Sequence, residues 1–299
     1  MDQPPKFVIQ ASEALALAES NAITLPELLP RLVPAAQSLA RPPISNFQVA
    51  AVGLGPSGRI FVGVNLEFPG LPLHHAVHAE QFLVSNLSLN AEANLTSFAV
   101  SAAPCGHCRQ FLQELRAASD VNILITSDDT PQFTPLSHFL PHQFGPHDLL
   151  SPGTPLLLET HHNALTLLPN HTNDDDALCN GHLHNHKLKN AALEAANKSH
   201  APYTASPSGV ALLDRHGNLY KGSYLESAAF NPSLGPVQAA LIAFVAAGGG
   251  EFDEIVDAVL VEKEDAAVKQ EQTARLLLHS ISPHCNFSTF LCHSQPSPP

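Results

Sequence analysis

The chain has 299 residues, 44% of them apolar, and a formal charge of −13. That is enough apolar material for one large or two smaller packed cores, and too much for a disordered chain. So acidic a chain argues against a protein that tracks a phosphate backbone, which needs Lys and Arg surfaces, and it points to a small-molecule partner rather than nucleic acid.

The opening stretch carries Asp2, Glu13 and Glu19 and no basic flank ahead of an apolar run, unlike a secretory or transit segment. The longest apolar run, residues 239–247, is too short to cross a bilayer. These features predict a soluble, cytoplasmic protein without a membrane partner. Asn-x-Ser/Thr triplets, as at Asn86 and Asn94, then carry no glycan.

Apolar spacing at Leu28, Leu32, Ala35 and Leu39 predicts a helix over 25–40. Residues 47–54 and 60–68 read as strands, and the turn "GPSG" (55–58) makes them a hairpin. A helix over 78–87 turns Ala79, Phe82, Leu83 and Leu87 inward. A strand over 95–101 then leads to a helix over 104–115, with Pro104 in its first turn, and to a strand over 121–126. Strands alternating with helices imply a layered α/β core.

From residue 145 the composition shifts to Pro, Asn and His, and 172–187 is polar without periodicity. Residues 151–190 read as a linker. Its His182, His184 and His186 follow no compact ligand spacing and are expected to be solvated. Cys179, Cys285 and Cys292 lie far from the other two cysteines in sequence and read as free thiols.

Beyond the linker the order of elements recurs at a shift of 159 residues. "VGVNLEF" (62–68) meets "KGSYLES" (221–227), 95–101 meets 254–260, and 105–115 meets 264–274. In this register His78-Ala79-Glu80 fall on Val237-Gln238-Ala239, and Cys105 and Cys108 on Glu264 and Ala267. The chain therefore divides into an N-terminal helical segment (1–40), a chemical domain (41–150), the linker (151–190) and a degenerate, non-catalytic copy (191–299).

Chemistry concentrates in "HAE" (78–80) and "PCGHC" (104–108). Each opens a predicted helix, with one strand between, so His78, Cys105 and Cys108 can meet around one ion. Two thiolates and a neutral imidazole balance Zn²⁺, and thiolate is favoured at a helix N-terminus. Structural zinc takes four protein ligands, whereas catalytic zinc keeps a position for water and lowers its pKa to about 7. Glu80, two residues past His78, can reach the same space and transfer a proton. His107 is not expected as a ligand. Arg109, next to Cys108, is placed to hydrogen-bond a thiolate, or else is an exposed helix residue.

His-Ala-Glu followed by Pro-Cys-x-x-Cys is the pattern of the zinc deaminases. With "VHAEQ" (77–81), "PCGHCRQF" (104–111), "FGPHDL" (144–149), "SPSGVAL" (206–212) and "AAFNP" (228–232), the chain resembles cytidine deaminase in its long, dimeric form. The likeness covers most of the chain. It implies a three-layer α-β-α fold duplicated within the chain and a homodimer. It implies one Zn²⁺ per chain on His78, Cys105 and Cys108, with Glu80 as proton shuttle. It further implies that Asn65 and Glu67 bind the ribose 3′-hydroxyl, that Phe47 packs on the pyrimidine, and that main chain near Ala79 and Ala103 reads the base amide. The family has Ser or Thr where this chain has Ala103. Phe230 would sit over the partner's pocket. The implied reaction is hydrolytic deamination of cytidine and 2′-deoxycytidine, in pyrimidine salvage. Two other readings share the motif: a polynucleotide cytidine deaminase and a non-enzymatic, zinc-stabilised scaffold.

Overall fold

The computed structural model describes residues 5–169 and 180–294; the side chains of 180–185 lie outside the described set, and so do Cys179 and the side chains of His182 and His184. The chain forms two compact units. One is Met1–Glu159 together with Ser227–Ser233, the other Thr160–Glu226 together with Leu234–Pro299.

The first unit runs β1 (Val8–Ile9), α1 (Ala11–Ser20), α2 (Leu25–Gln37), β2 (Ala50–Leu54), β3 (Ile60–Val64), α3 (Ala79–Leu89), β4 (Ser97–Val100), α4 (Gly106–Phe111), β5 (Asn122–Ile125), β6 (Thr134–Pro135), α5 (Leu136–Phe139) and α6 (Pro146–Leu149). Its sheet has the order β1-β3-β2-β4-β5-β6, with only β4 and β5 parallel. Helix α2 starts where Thr24 and Glu27 cap one another reciprocally, and it buries Leu28, Leu29, Leu32, Val33 and Ala36. Nearly every residue of β2 and β3 is buried, which requires cover on both faces of the sheet. α2 and α3 provide it.

Gly63 fixes the distance from sheet to α3. A Cβ there would fall 2.2 Å from the Ala79 carbonyl oxygen and 2.3 Å from the Leu83 nitrogen. The first turn of α3 can lie this close only because β3 has no side chain at that point.

Three expectations change in detail. The strand expected from Phe47 is β2 and begins at Ala50, because the Asn65 side chain replaces the ladder there: Val49 N–H donates to Oδ1 (2.9 Å), and Nδ2 donates to the Phe47 carbonyl (2.9 Å). The cysteine helix is short, with a 3-10 turn over Leu112–Glu114 continuing it. The segment 1–40 is not only helical, since β1 joins the sheet beside β3.

The second unit contains β7 (Leu165–Leu167), α7 (Asn180–Asn197), β8 (Ser208–Asp214), β9 (Leu219–Ser223), α8 (Pro236–Ala246), β10 (Ile255–Lys263), α9 (Glu271–Ile281) and β11 (Asn286–Ser294). Its sheet order is β7-β11-β10-β8-β9, with β10 and β11 parallel. The expected linker is thus partly structured. A three-residue strand is too short to show a period, and the apolar stripe of α7 (Leu188, Ala192, Ala195, Ala196) emerges only at its far end.

The duplication is real, but its register drifts. Gly222 lies against the Pro236 carbonyl oxygen and the Ala240 nitrogen as Gly63 lies against those of Ala79 and Leu83. The β3–α3 loop, closed by the Leu66–Val77 bridge, is two residues longer than its counterpart closed by Leu225–Leu234. His78-Ala79-Glu80 therefore match Gly235-Pro236-Val237, and N-cap Cys105 matches Gln270, the N-cap of α9. The corrected register still leaves the second copy without the ligands or the carboxylate.

Candidate active site

His78 and Cys105 are the extended N-cap residues of α3 and α4. Each leaves its strand-side loop just before a helix starts, so the two helix N-termini bring the donors together. His78 Nδ1 lies 3.5 Å from Cys105 Sγ and 3.3 Å from Cys108 Sγ, and the two sulfurs are 3.7 Å apart. Zinc with ordinary Zn–S and Zn–N bonds in tetrahedral geometry separates its ligands by about 3.8 Å (S–S) and about 3.6 Å (S–N). The donor set fits that ion. Among the described residues these three form the one His/Cys/Asp/Glu group able to hold a metal, so no fourth protein ligand closes the site.

Glu80 is 4% exposed. Its Oε2 accepts from Cys108 Sγ at 3.2 Å, and burial pushes its pKa up. A buried carboxyl held against a ligand thiol is placed to transfer a proton at that site. Without metal the sulfurs are unequal. Hydrogen bonds from Cys108 and His78 bring Cys105 down to about 3. The same bond with Cys105, together with burial and the nearby Glu80, raises Cys108 well above its ordinary range. Bonding to Cys105 holds His78 up. A bound dication would deprotonate both thiols.

His107 stacks on His78, ring centroids 5.3 Å apart, and is outside the ligand group. Arg109 does not bond a thiolate. Its Nε donates to the Pro104 carbonyl (2.7 Å) and one terminal nitrogen donates to that of Phe139 (3.1 Å). One residue on from Cys108 the side chain points about 100° further around the helix, so Arg109 braces the turn before Cys105 instead.

Asn65 and Glu67 follow β3. Glu67 accepts from the Ile44 and Ser45 N–H groups (2.8 and 2.9 Å) and from Ser45 Oγ (2.6 Å). Burial pushes its pKa up, but those three hydrogen bonds outweigh it and leave it lowered. Glu67 and Asn65 together shape the loop that presents Phe47, which is 60% exposed. The second copy repeats this clamp: Glu226 accepts from the Tyr203 and Thr204 N–H groups and the Thr204 hydroxyl. Ala79 is buried at the first position of α3, and Ala103 is exposed just before the cysteine turn. Phe230 belongs to the first unit, in a left-handed conformation (φ 62°), and the residue is 62% exposed.

Sequence reasoning missed Ser45, Gln81 and Glu114. Ser45 had a signal, because Ser45/Glu67 and Thr204/Glu226 recur at the same 159-residue shift. Gln81, three residues after an N-cap, fits a capping pattern. Glu114 had no local signal.

A His/Cys/Cys triad at two helix N-termini, with a buried carboxyl against one thiol, defines a zinc-dependent hydrolytic deaminase. Comparisons with known proteins agree. Two family models, both described as cytidine and deoxycytidylate deaminase zinc-binding region, match residues 18–124 and 136–275. The chain is 58% identical to cytidine deaminase 1 of Arabidopsis thaliana, over 98% of this chain and 99% of that protein. It is 50% identical to cytidine deaminase 6 of the same plant, over 96% and 98%. A protein named probable inactive cytidine deaminase 4 is 42% identical over 98% of each. Among solved structures, cytidine deaminase from Mycobacterium tuberculosis matches at 29% identity, 40% of this chain, 96% of that chain and a TM-score of 0.35. The chain belongs to the cytidine and deoxycytidylate deaminase family, and it is a hydrolytic deaminase carrying two such domains in tandem.

Proposed function

We propose that the enzyme hydrolyses cytidine and 2′-deoxycytidine to uridine and 2′-deoxyuridine plus ammonia, in pyrimidine salvage. The observation that carries this is the His78/Cys105/Cys108 triad with the buried Glu80 carboxyl 3.2 Å from Cys108 Sγ. Bound by those three residues, zinc supplies a Lewis acid that lowers the pKa of water toward neutrality.

Glu80 takes a proton from the attacking water and delivers it to N3 of the pyrimidine. The water oxygen adds at C4; Glu80 then takes the remaining proton from that hydroxyl and passes it to the amino nitrogen, so the C4–N bond breaks as C4=O forms, and one water is consumed and one ammonia released. Asn65 Nδ2 keeps one N–H beyond its bond to Phe47, and Glu67 Oε1 keeps a lone pair beyond its bond from Ser45. A 3′-hydroxyl can accept from the first and donate to the second. Phe47 packs on the base, and main chain near Ala79 and Ala103 reads its amide edge.

The active form is a cytoplasmic homodimer in which Phe230 covers the partner's pocket. Its support is the exposure of Phe47, Leu73 and Phe230 (60%, 72% and 62%) in a single chain. The charge of −13 and the absence of tryptophan favour a free nucleoside over a polynucleotide. Among the described residues no helix is long and apolar enough to cross a membrane.

An ammonia-release screen over cytidine, 2′-deoxycytidine, their phosphates, cytosine and single-stranded RNA and DNA tests the reading. Turnover should appear with the two nucleosides, vanish on metal removal and return with Zn²⁺. Turnover on polynucleotide alone, or zinc binding without ammonia release, would reject it.

A further inference from the structure

We infer that Gln81 is a positioning residue for the zinc turn, and that it acts through a strap, Ser227–Ser233, which lies in the second repeat by sequence and in the first unit by packing. This rests on the zinc reading above and adds the source of the site's rigidity.

Gln81 is 2% exposed. Its Oε1 accepts the N–H of the ligand His78 at 3.3 Å, and its Nε2 donates to the Pro232 carbonyl at 3.0 Å. At its other end the strap is held by the cysteine helix's extension: the Ala228 N–H donates to the carboxylate of Glu114, which is fully buried, at 2.7 Å. The strap thus spans from the first turn of α3 to the end of the segment carrying Cys105 and Cys108.

Between these anchors the strap closes on itself. Phe230 N–H donates to the Ser227 carbonyl (2.9 Å), Ser233 N–H to that of Phe230 (2.9 Å), and Ser227 N–H to Ser233 Oγ (3.0 Å). Phe230 sits at φ 62°, a conformation that bulky residues rarely adopt unless their surroundings impose it. A segment folded in this way is a brace.

The second copy lacks both ties that Gln81 makes. Its counterpart Gln238 lies near its own N-cap residue, where a Cβ on Gly235 would fall 2.4 Å from Gln238 Oε1, but among the described residues it makes no capping hydrogen bond there. Among the described residues Gln238 makes no bond like that to Pro232, so this tie belongs to the copy that holds the metal. Because Nδ1 of His78 sits 3.5 and 3.3 Å from the two sulfurs, a small shift of the His78 backbone leaves the ligands in place but spoils their spacing.

The test uses the full-length, zinc-loaded enzyme. Gln81→Glu keeps an acceptor for the His78 N–H but sets an oxygen against the Pro232 carbonyl. Gln81→Met loses both bonds, and Glu114→Leu breaks the second anchor while Glu114→Gln keeps it. The readouts are the rate of zinc transfer to a chromophoric chelator, the visible spectrum of the cobalt-substituted protein, and kcat and KM for cytidine. Gln81→Glu and Gln81→Met should release zinc at least about tenfold faster, shift the cobalt bands and lower kcat about 10–100-fold with KM within about twofold. Glu114→Leu should follow them, and Glu114→Gln should match the parent enzyme. Parental zinc release and cobalt spectrum in both Gln81 variants would overturn the inference, even with lowered turnover. If neither Gln81 variant folds, equal zinc release from Glu114→Leu and Glu114→Gln overturns it. A parent protein that binds no zinc would instead sink the functional reading on which the inference stands.

Discussion

The closest test of how the fold sets the chemistry is a pair of substitutions, Gly63→Ala and Gly222→Ala. In β3 the new Cβ would lie 2.2 Å from the Ala79 carbonyl oxygen, where ordinary contact begins at 3.4 Å, so α3 must retreat by about 1.2 Å. The atom in the way is backbone and cannot rotate aside. In β9 the clash is as severe, 2.0 Å from the Ala240 nitrogen, but α8 carries no ligand and no carboxylate. Overpacking of this kind costs about 1–3 kcal/mol, or a fall in Tm of roughly 2–10 °C at this size. Stability should therefore drop alike in both variants. Activity should not, because Glu80 rides on the first turn of α3, and a misplacement of about 1 Å at a reacting group costs about 10²-fold. Thermal melts and kcat for cytidine, measured well below both melting points, separate the two effects. Equal kcat losses in the two variants, or an unshifted Tm in Gly63→Ala, would refute this account of how the sheet positions the helix.

Other expectations follow from single groups. Glu80→Gln keeps the shape of the side chain and should retain one zinc per chain by elemental analysis, while turnover falls by about 10³-fold or more; an active Glu80→Gln enzyme removes the shuttle role. Glu67→Gln weakens the acceptor of three hydrogen bonds on the Phe47 loop and should raise KM for cytidine about tenfold, whereas Glu226→Gln should lower Tm with KM unmoved; a raised KM in both would assign the clamp to stability alone. Burial pushes Glu92 up, but bonds from Ser57 and an ion pair with Arg59 (2.6 Å) outweigh it and depress its pKa. Its contribution is therefore full above the unfolded carboxyl pKa of about 4.3 and is lost as pH falls through the lower folded value. Replacing it with Gln should flatten the acid limb of the stability–pH curve, and an unchanged limb contradicts the assignment.

Much of the site was legible in the chain itself, because its chemistry depends on local spacing. An N-cap histidine with a carboxyl two residues on, and two cysteines one helical turn apart, keep their relations wherever the helices go. The α/β class was legible for the same reason, since runs such as 60–64 and 79–87 carry their own periodicity. The ends of elements were not. Phe47–Val49 left the ladder because of Asn65, sixteen residues or more away. The strand at Leu165–Leu167 exists because β11 pairs with it, and Arg109 turned from the thiolates to carbonyls that only the folded turn brings near.

The sequence by itself determined which atoms could bind a metal and move a proton, since side-chain chemistry and helical spacing are properties of short segments. Only the tertiary structure decided that the two helix starts converge to ligand spacing and that residues 227–233 join the first unit. It also decided that the duplicated copies fall out of register by two residues at the loop before α8. Those outcomes depend on pairing, on backbone approach at glycines and on burial between segments up to 151 positions apart, and no local pattern encodes them.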